Sequence, residues 1–201
     1  MKRAIEIIVV EGALEVVASL KLLRALNLPT DDLFPIDKMG CSNFWRDAPK
    51  YNQAAQHSLV FGLTDLDHHP CPSGLIAKHL KRGKHPNFIL RIPKRELESW
   101  LLADAEAMAQ YLKLSLDVFP PNPDAEADPK QTLVNLARRS TRTELREDLV
   151  PARGSKAVVG RGYTSRVTEF IESRWRPLKA QHRSDSLRRA IAALRRAVET
   201  G

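Results

Sequence analysis

The stretch Val60-Phe-Gly-Leu-Thr-Asp-Leu-Asp-His-His69 decides how this chain is read. It opens as a short apolar run with the β-branched and aromatic bias of a buried strand, and Asp65 and Asp67 stand where that strand should end. Two carboxylates one residue apart on a strand end point the same way, so both can reach one hard cation through oxygen. Ligands of open parallel α/β sheets lie beyond the carboxyl ends of the strands, which makes this Asp-x-Asp a candidate site. A bare Asp-x-Asp is more often a solvated turn, but here two other apolar strands also end in acids.

Working outward, residues 4–10 read as a first strand followed by Glu11-Gly12, and Leu14, Val17, Ala18, Leu22 and Ala25 recur at helical spacing over 13–26. A short strand at 33–36, a loop through Gly40 and a helix at 44–56 follow, in which Trp45 and Tyr51 read as packing residues. The central strand spans 58–64. Ser73 is placed to cap a helix to Arg82. Residues 87–92 form another strand, closed by Pro93, and 94–104 a helix that buries Leu97, Trp100, Leu101 and Leu102. Strands alternating with helices imply parallel βαβ units with right-handed crossovers. The expected fold class is α/β, a mostly parallel Rossmann-like sheet flanked by helices.

The pattern changes near residue 115, which suggests an α/β domain over 1–114 and a basic, mostly helical region over 115–201 packed on it. Phe119-Pro-Pro-Asn-Pro-Asp-Ala-Glu-Ala-Asp-Pro129 reads as a proline-rich acidic connector, with Asp128 capping a helix over 129–139. A glycine-rich loop at 154–162 and helices at 163–175 and 184–198, the latter capped by Ser184, complete the chain.

The net charge of +8 is unevenly spread: residues 138–201 hold 16 Lys or Arg against 7 Asp or Glu, and residues 1–137 hold 16 against 17. Such a segment attracts phosphate backbones by counterion release, although a solvated Arg-rich helical face looks the same in sequence. No apolar run approaches the roughly 18 residues of a membrane span, and Glu6 interrupts what would be a signal-peptide core, so a cytoplasmic protein is expected, with no membrane partner. Cys41 and Cys71 lack zinc-ligand spacing.

Three acid pairs stand at strand ends or in the turns that follow: Glu11 with Glu15, Asp65 with Asp67, and Glu96 with Glu98. A parallel sheet brings all three to one edge, and carboxylates crowded there repel unless cations neutralise them. Mg2+ or Mn2+ suits such a set, because these ions take a few carboxylates and fill their remaining positions with water and phosphate oxygens.

Val9-Val-Glu-Gly-Ala-Leu-Glu15, Leu63-Thr-Asp-Leu-Asp67 and Arg95-Glu-Leu-Glu-Ser-Trp-Leu-Leu-Ala-Asp104 resemble the three acidic motifs of the Toprim fold, shared by topoisomerases, bacterial primases, ribonuclease M5 and the overcoming-lysogenization-defect nucleases. The last string, with Asp128-Pro-Lys and Val159-Gly-Arg-Gly-Tyr163, more closely resembles a bacterial Toprim-like family of unassigned function, DUF4276. The resemblance implies a magnesium-dependent nuclease-type activity on DNA or RNA, in a bacterial-defence setting. Glu11 would be a general acid or base or a metal ligand, Asp65 and Asp67 the magnesium-binding and catalytic pair, and Glu15 and Glu98 further ligands with Glu96 beside them. Nucleases of this fold add a phosphate-steadying lysine, for which Lys94, Lys130 and Lys156 are the candidates. Arg153, Lys156 and Arg161 on the glycine loop would hold the polyanion.

Plainer readings stand beside these. Glu96 is also the first-turn acid that a helix dipole favours, Glu15 is also an ordinary residue at helical spacing, and His68-His69 is also an exposed turn. Two alternatives to a nuclease follow: a non-catalytic module binding metal with nucleotide or nucleic acid, and a protein-interaction or toxin–antitoxin component, either partnered or homo-oligomeric.

Overall fold

The computed structural model describes residues 3–199; Met1, Lys2, Thr200 and Gly201, the outer ends of the two expected domains, lie outside the described residues. Strands β1 (Ile7–Val10), β2 (Ile36–Asp37), β3 (Val60–Leu63) and β4 (Phe88–Arg91) form one parallel sheet in the order β2-β1-β3-β4. Ile7 pairs with Val60, Val9 with Ile36, and Leu63 with Arg91. Helices α1 (Ala13–Ala25), α2 (Cys41–Ala54) and α3 (Pro72–His79) provide the crossovers. This is the expected α/β, Rossmann-like architecture. Because β1 pairs with β2 on one side and β3 on the other, the topological switch point falls between the carboxyl ends of β1 and β3.

Side-chain alternation divides the strands between two cores. Val9, Val60, Phe88 and Leu90 pack with Phe44, Trp45 and Ala48 of α2 and Leu75 of α3. Ile8, Val10, Phe61, Leu63 and Ile89 face α1 and the later helices. Gly62 is required on β3 because an added Cβ would lie 2.7 Å from the Phe88 ring. Beyond β4 come α4 (Leu97–Leu102), α5 (Ala105–Leu112), two 3-10 turns (Leu116–Val118 and Pro123–Ala125), α6 (Pro129–Arg138), α7 (Thr143–Leu149), α8 (Tyr163–Ser173), α9 (Pro177–Ala180) and α10 (Asp185–Glu199). Leu133, Leu145, Phe170 and Leu194 of this part join the same buried cluster as β1 and β3. Trp100 is fully buried and its indole N–H donates to Ser186 Oγ at 2.7 Å.

Four details differ from the sequence reading. The helix after β4 begins at Leu97 rather than residue 94, because the Arg95 carbonyl accepts the N–H groups of Leu66 and Asp67 and Glu96 is extended as the N-cap. The cap of α3 is Cys71, whose sulfur accepts from Gly74 N, because Pro72 already occupies the first helical position. The second strand is two residues, 36–37, instead of 33–36, and Phe34 is 83% exposed. Helices α5, α7 and α9 are additional. Ser184 and Asp128 cap α10 and α6 as expected, accepting from Leu187 N and Gln131 N respectively. Among the described residues no helix is long and apolar enough to cross a membrane.

Candidate metal and phosphate site

Each acid motif is carried to the carboxyl edge of the sheet by a different element. Glu11 follows β1, Glu15 lies in the first turn of α1, Asp65 and Asp67 follow β3, and Glu98 lies in the first turn of α4. Gly12 is the extended N-cap of α1, and an added Cβ there would lie 3.2 Å from Glu15 Oε2, so that carboxylate folds back over the helix start. Glu15, Asp65 and Glu98 are buried, the last at 1% exposure.

Glu11 sits at the centre. Its Oε2 accepts the Thr64 hydroxyl at 2.6 Å and the Asp65 N–H at 3.2 Å, and its carbonyl accepts Gly40 N–H at 2.8 Å. Burial and the charge on Asp67 push its pKa up against those hydrogen bonds. Asp65 and Asp67 line one pocket together with Cys41 but take different partners. β3 ends at Leu63, and Asp67 takes a left-handed backbone (φ 50°). Asp65 points inward and its Oδ1 accepts the Leu97 N–H at 2.9 Å, capping α4. Asp67 instead joins Glu11 and Cys41, whose ligand atoms all lie within 4.8 Å of one another, a group able to hold a metal ion. The turn is fixed by Arg95, whose guanidinium donates to the carbonyls of Asp67 and His69.

The inner acids share a single lysine as neutralising partner. Burial, then the charges of Glu15, Glu98 and Glu11, holds Asp65 well above the carboxylate range. Burial, with Glu11 and Glu98 nearby, pushes Glu15 up to about 7. Glu98 is raised by burial although Tyr163 Oη donates to its Oε1 at 2.7 Å. One cation enters the cluster. Lys130 Nζ lies 2.9 Å from Glu96 Oε1 and 3.9 Å from Glu98 Oε1, and its backbone N–H also donates to Glu96 at 3.0 Å. Burial opposes its charge, but Glu98 and Glu96 outweigh that and raise its pKa.

Of the three candidate lysines the structure brings only Lys130 to the acids. Lys94, Lys156 and Arg161 are exposed and make no ion pair among the described residues. Glu96 serves as N-cap residue of α4 and partner of Lys130, not as a sixth clustered acid. His68 and His69 stay outside the Glu11–Cys41–Asp67 group; His69 Nδ1 lies 3.0 Å from the Cys71 carbonyl. The glycine loop is tied to α7: Gly160 N donates to Leu149 O and Gly162 N to Asp148 O. A Cβ at Gly160 would lie 2.2 Å from the Asp148 carbonyl oxygen, so the close approach demands glycine and delivers Tyr163 to Glu98. Thr64, Cys41, Arg95 and Tyr163 are the site residues that spacing did not single out. Cys41 begins the helix after β2, and only the fold brings it to Glu11; burial and the charges of Glu11 and Asp67 push its thiol up to about 11.

The donor set suits a divalent cation: oxygen ligands in excess of nearby positive charge, one thiol, and protons held on buried carboxylates that a cation can displace. Compared with protein families, curated proteins and solved structures, the chain has no match.

Proposed function

We propose that this chain is a cytoplasmic, divalent-cation-dependent phosphodiesterase of nuclease type, using Mg2+ or Mn2+ on DNA or RNA. The observation that carries the reading is the gathering of Glu11, Glu15, Asp65, Asp67 and Glu98, from three chain segments, at the switch point of a parallel sheet with Lys130 paired to Glu98. The resemblance of those segments to the Toprim motifs supports the same chemistry. Glu11 and Asp67, with Cys41 in reach, would hold the cation, and the buried Asp65, Glu15 and Glu98 would set the negative potential that draws it in. When bound, such an ion polarises a phosphate and acidifies a water molecule. Glu11 is positioned to take or return a proton, since its Oε2 is held by Thr64 and Asp65 N–H while its pKa is raised. Lys130, on turning from Glu96, would meet a phosphate oxygen as a point charge. The exposed Arg153, Lys156 and Arg161 would steer the polyanion.

A second reading, a module that binds metal and nucleotide without cutting, is favoured by Lys130 itself, whose ammonium is already engaged by Glu96. Calorimetric titration with Mg2+ and Mn2+, followed by cleavage assays on single- and double-stranded DNA and RNA, separates the two. Wild type should bind the ion and cut, and Asp65→Asn plus Asp67→Asn should lower cleavage by on the order of 10³-fold or more. Cleavage that persists in the double variant sinks the site assignment. Ion and nucleic-acid binding without cleavage by wild type selects the second reading.

A further inference from the structure

A cavity of about 720 Å3 opens between α1 and the α8–α9 corner, walled by Val16 and Leu20 on one side and Trp175 and Leu178 on the other. Its wall is apolar by construction. The Trp175 indole N–H is turned inward to the Trp100 carbonyl at 3.2 Å, so the ring offers only carbon to the cavity. The rim is cationic. Lys21 donates to the Glu172 carbonyl at 2.7 Å, Arg24 to the Thr30 hydroxyl at 3.2 Å, and Lys179 Nζ has no partner among the described residues. Among the described residues none of these three has a carboxylate partner. Arg176, which also lines the cavity, is paired with Asp104 and Glu106, and elsewhere in the C-terminal part Arg166, Arg188 and Arg189 are ion-paired. Glu172 is the single acid on the rim, so the lining keeps a positive excess around an apolar interior.

We propose that this cavity is a second binding site, separate from the carboxylate cluster, and that it takes a small amphipathic anion: an aliphatic body with one carboxylate or phosphate head. The volume lies in the range of small-molecule sites, apolar burial would supply most of the affinity, and the unneutralised rim selects the sign of the head group. This inference needs no catalytic role for the acids.

The test is calorimetry with dodecanoate, dodecyl phosphate and dodecyltrimethylammonium, each below its micellar concentration, on the full chain and on Arg24→Glu plus Lys179→Glu. Both substituted positions are exposed, so the fold should be kept, and circular dichroism verifies it. Expected is binding of the anions near one per chain, no binding of the cation, and anion affinity on the order of tenfold weaker in the variant, as reversal of two solvent-facing charges predicts. Leu20→Trp, which places a ring in the cavity, should abolish binding of both anions while leaving Mg2+ binding unchanged. Failure of both anions to bind overturns the proposal, as does equal binding of the cation or affinity unchanged by charge reversal. Binding only to phosphatidylglycerol vesicles would assign the face to a membrane surface instead. A dimer in ultracentrifugation that dodecanoate does not dissociate would assign it to a second copy of the chain.

Discussion

Two groups of buried acids, one at the carboxyl edge of the sheet and one among the later helices, are treated oppositely. Asp104 and Asp124 each come with a full set of donors. Asp104 accepts from Ala107 N, Arg176 N, Arg176 Nε and Arg176 Nη2, and Asp124 from Ser184 Oγ, Ser186 N and Ser186 Oγ. Glu15, Asp65 and Glu98 are as deeply buried, yet they face one another and share one lysine. Acids that build a fold arrive with their hydrogen bonds already made, whereas acids left short of donors store an electrostatic demand for a cation. The contrast separates structure from function more sharply than burial does.

The largest effect that could break this contrast is on pH dependence. Glu15 has a folded-state pKa near 7 against an unfolded value of 4.5, and Asp65, Glu98 and Glu11 are shifted the same way. The folded protein therefore holds protons the unfolded chain gives up. The associated stability is complete below about pH 4.5 and is lost as pH rises through 7. Urea melts in a chelator should lose about 3 kcal/mol from Glu15 alone between pH 4.5 and 8. Mg2+ should restore the loss, and the restoration should grow with pH. A cation-free protein as stable at pH 8 as at pH 5 would remove the argument for a metal.

Next in size, Asp124→Ala should destabilise by about 2 kcal/mol, since it strips donors of their acceptor at the start of α10. The same loss should appear with and without Mg2+, measured by urea melts. A metal-dependent loss there would blur the distinction between the two groups. Smallest, Tyr163→Phe removes the donor on Glu98 and should cost about 1 kcal/mol while weakening Mg2+ binding by roughly tenfold, read by calorimetry. Unchanged Mg2+ affinity would place Glu98 among the structural acids.

Much of this was legible in sequence, for reasons that can be named. β1, β3 and β4 are buried on both faces, so they show as unbroken apolar runs, and their acids mark their carboxyl ends. Asp128 and Ser184 were readable as caps because their role is local. What was not legible depends on contacts across the chain. Asp65 binds the Leu97 N–H while Asp67 joins Glu11 and Cys41, and Arg95, nearly thirty residues on, holds the turn at Asp67. Cys41 reaches Glu11 only once β2 has been laid beside β1. The connector looked like a linker because its one buried acid, Asp124, finds its partners sixty residues later. Choosing Lys130 over Lys94 and Lys156 needed α6 to be docked on α4.

The hydroxyl that Tyr163 gives to Glu98 also sets a clock. The two residues are 65 positions apart, so at ordinary translation speeds the ribosome makes Glu98 some 3–13 s before its partner. Lys130 emerges within that interval. A nascent chain thus carries the acids of the first three motifs well before the residues that hold them in register. The full set of contacts at this site can form only when the last third of the protein has been synthesised and folded back.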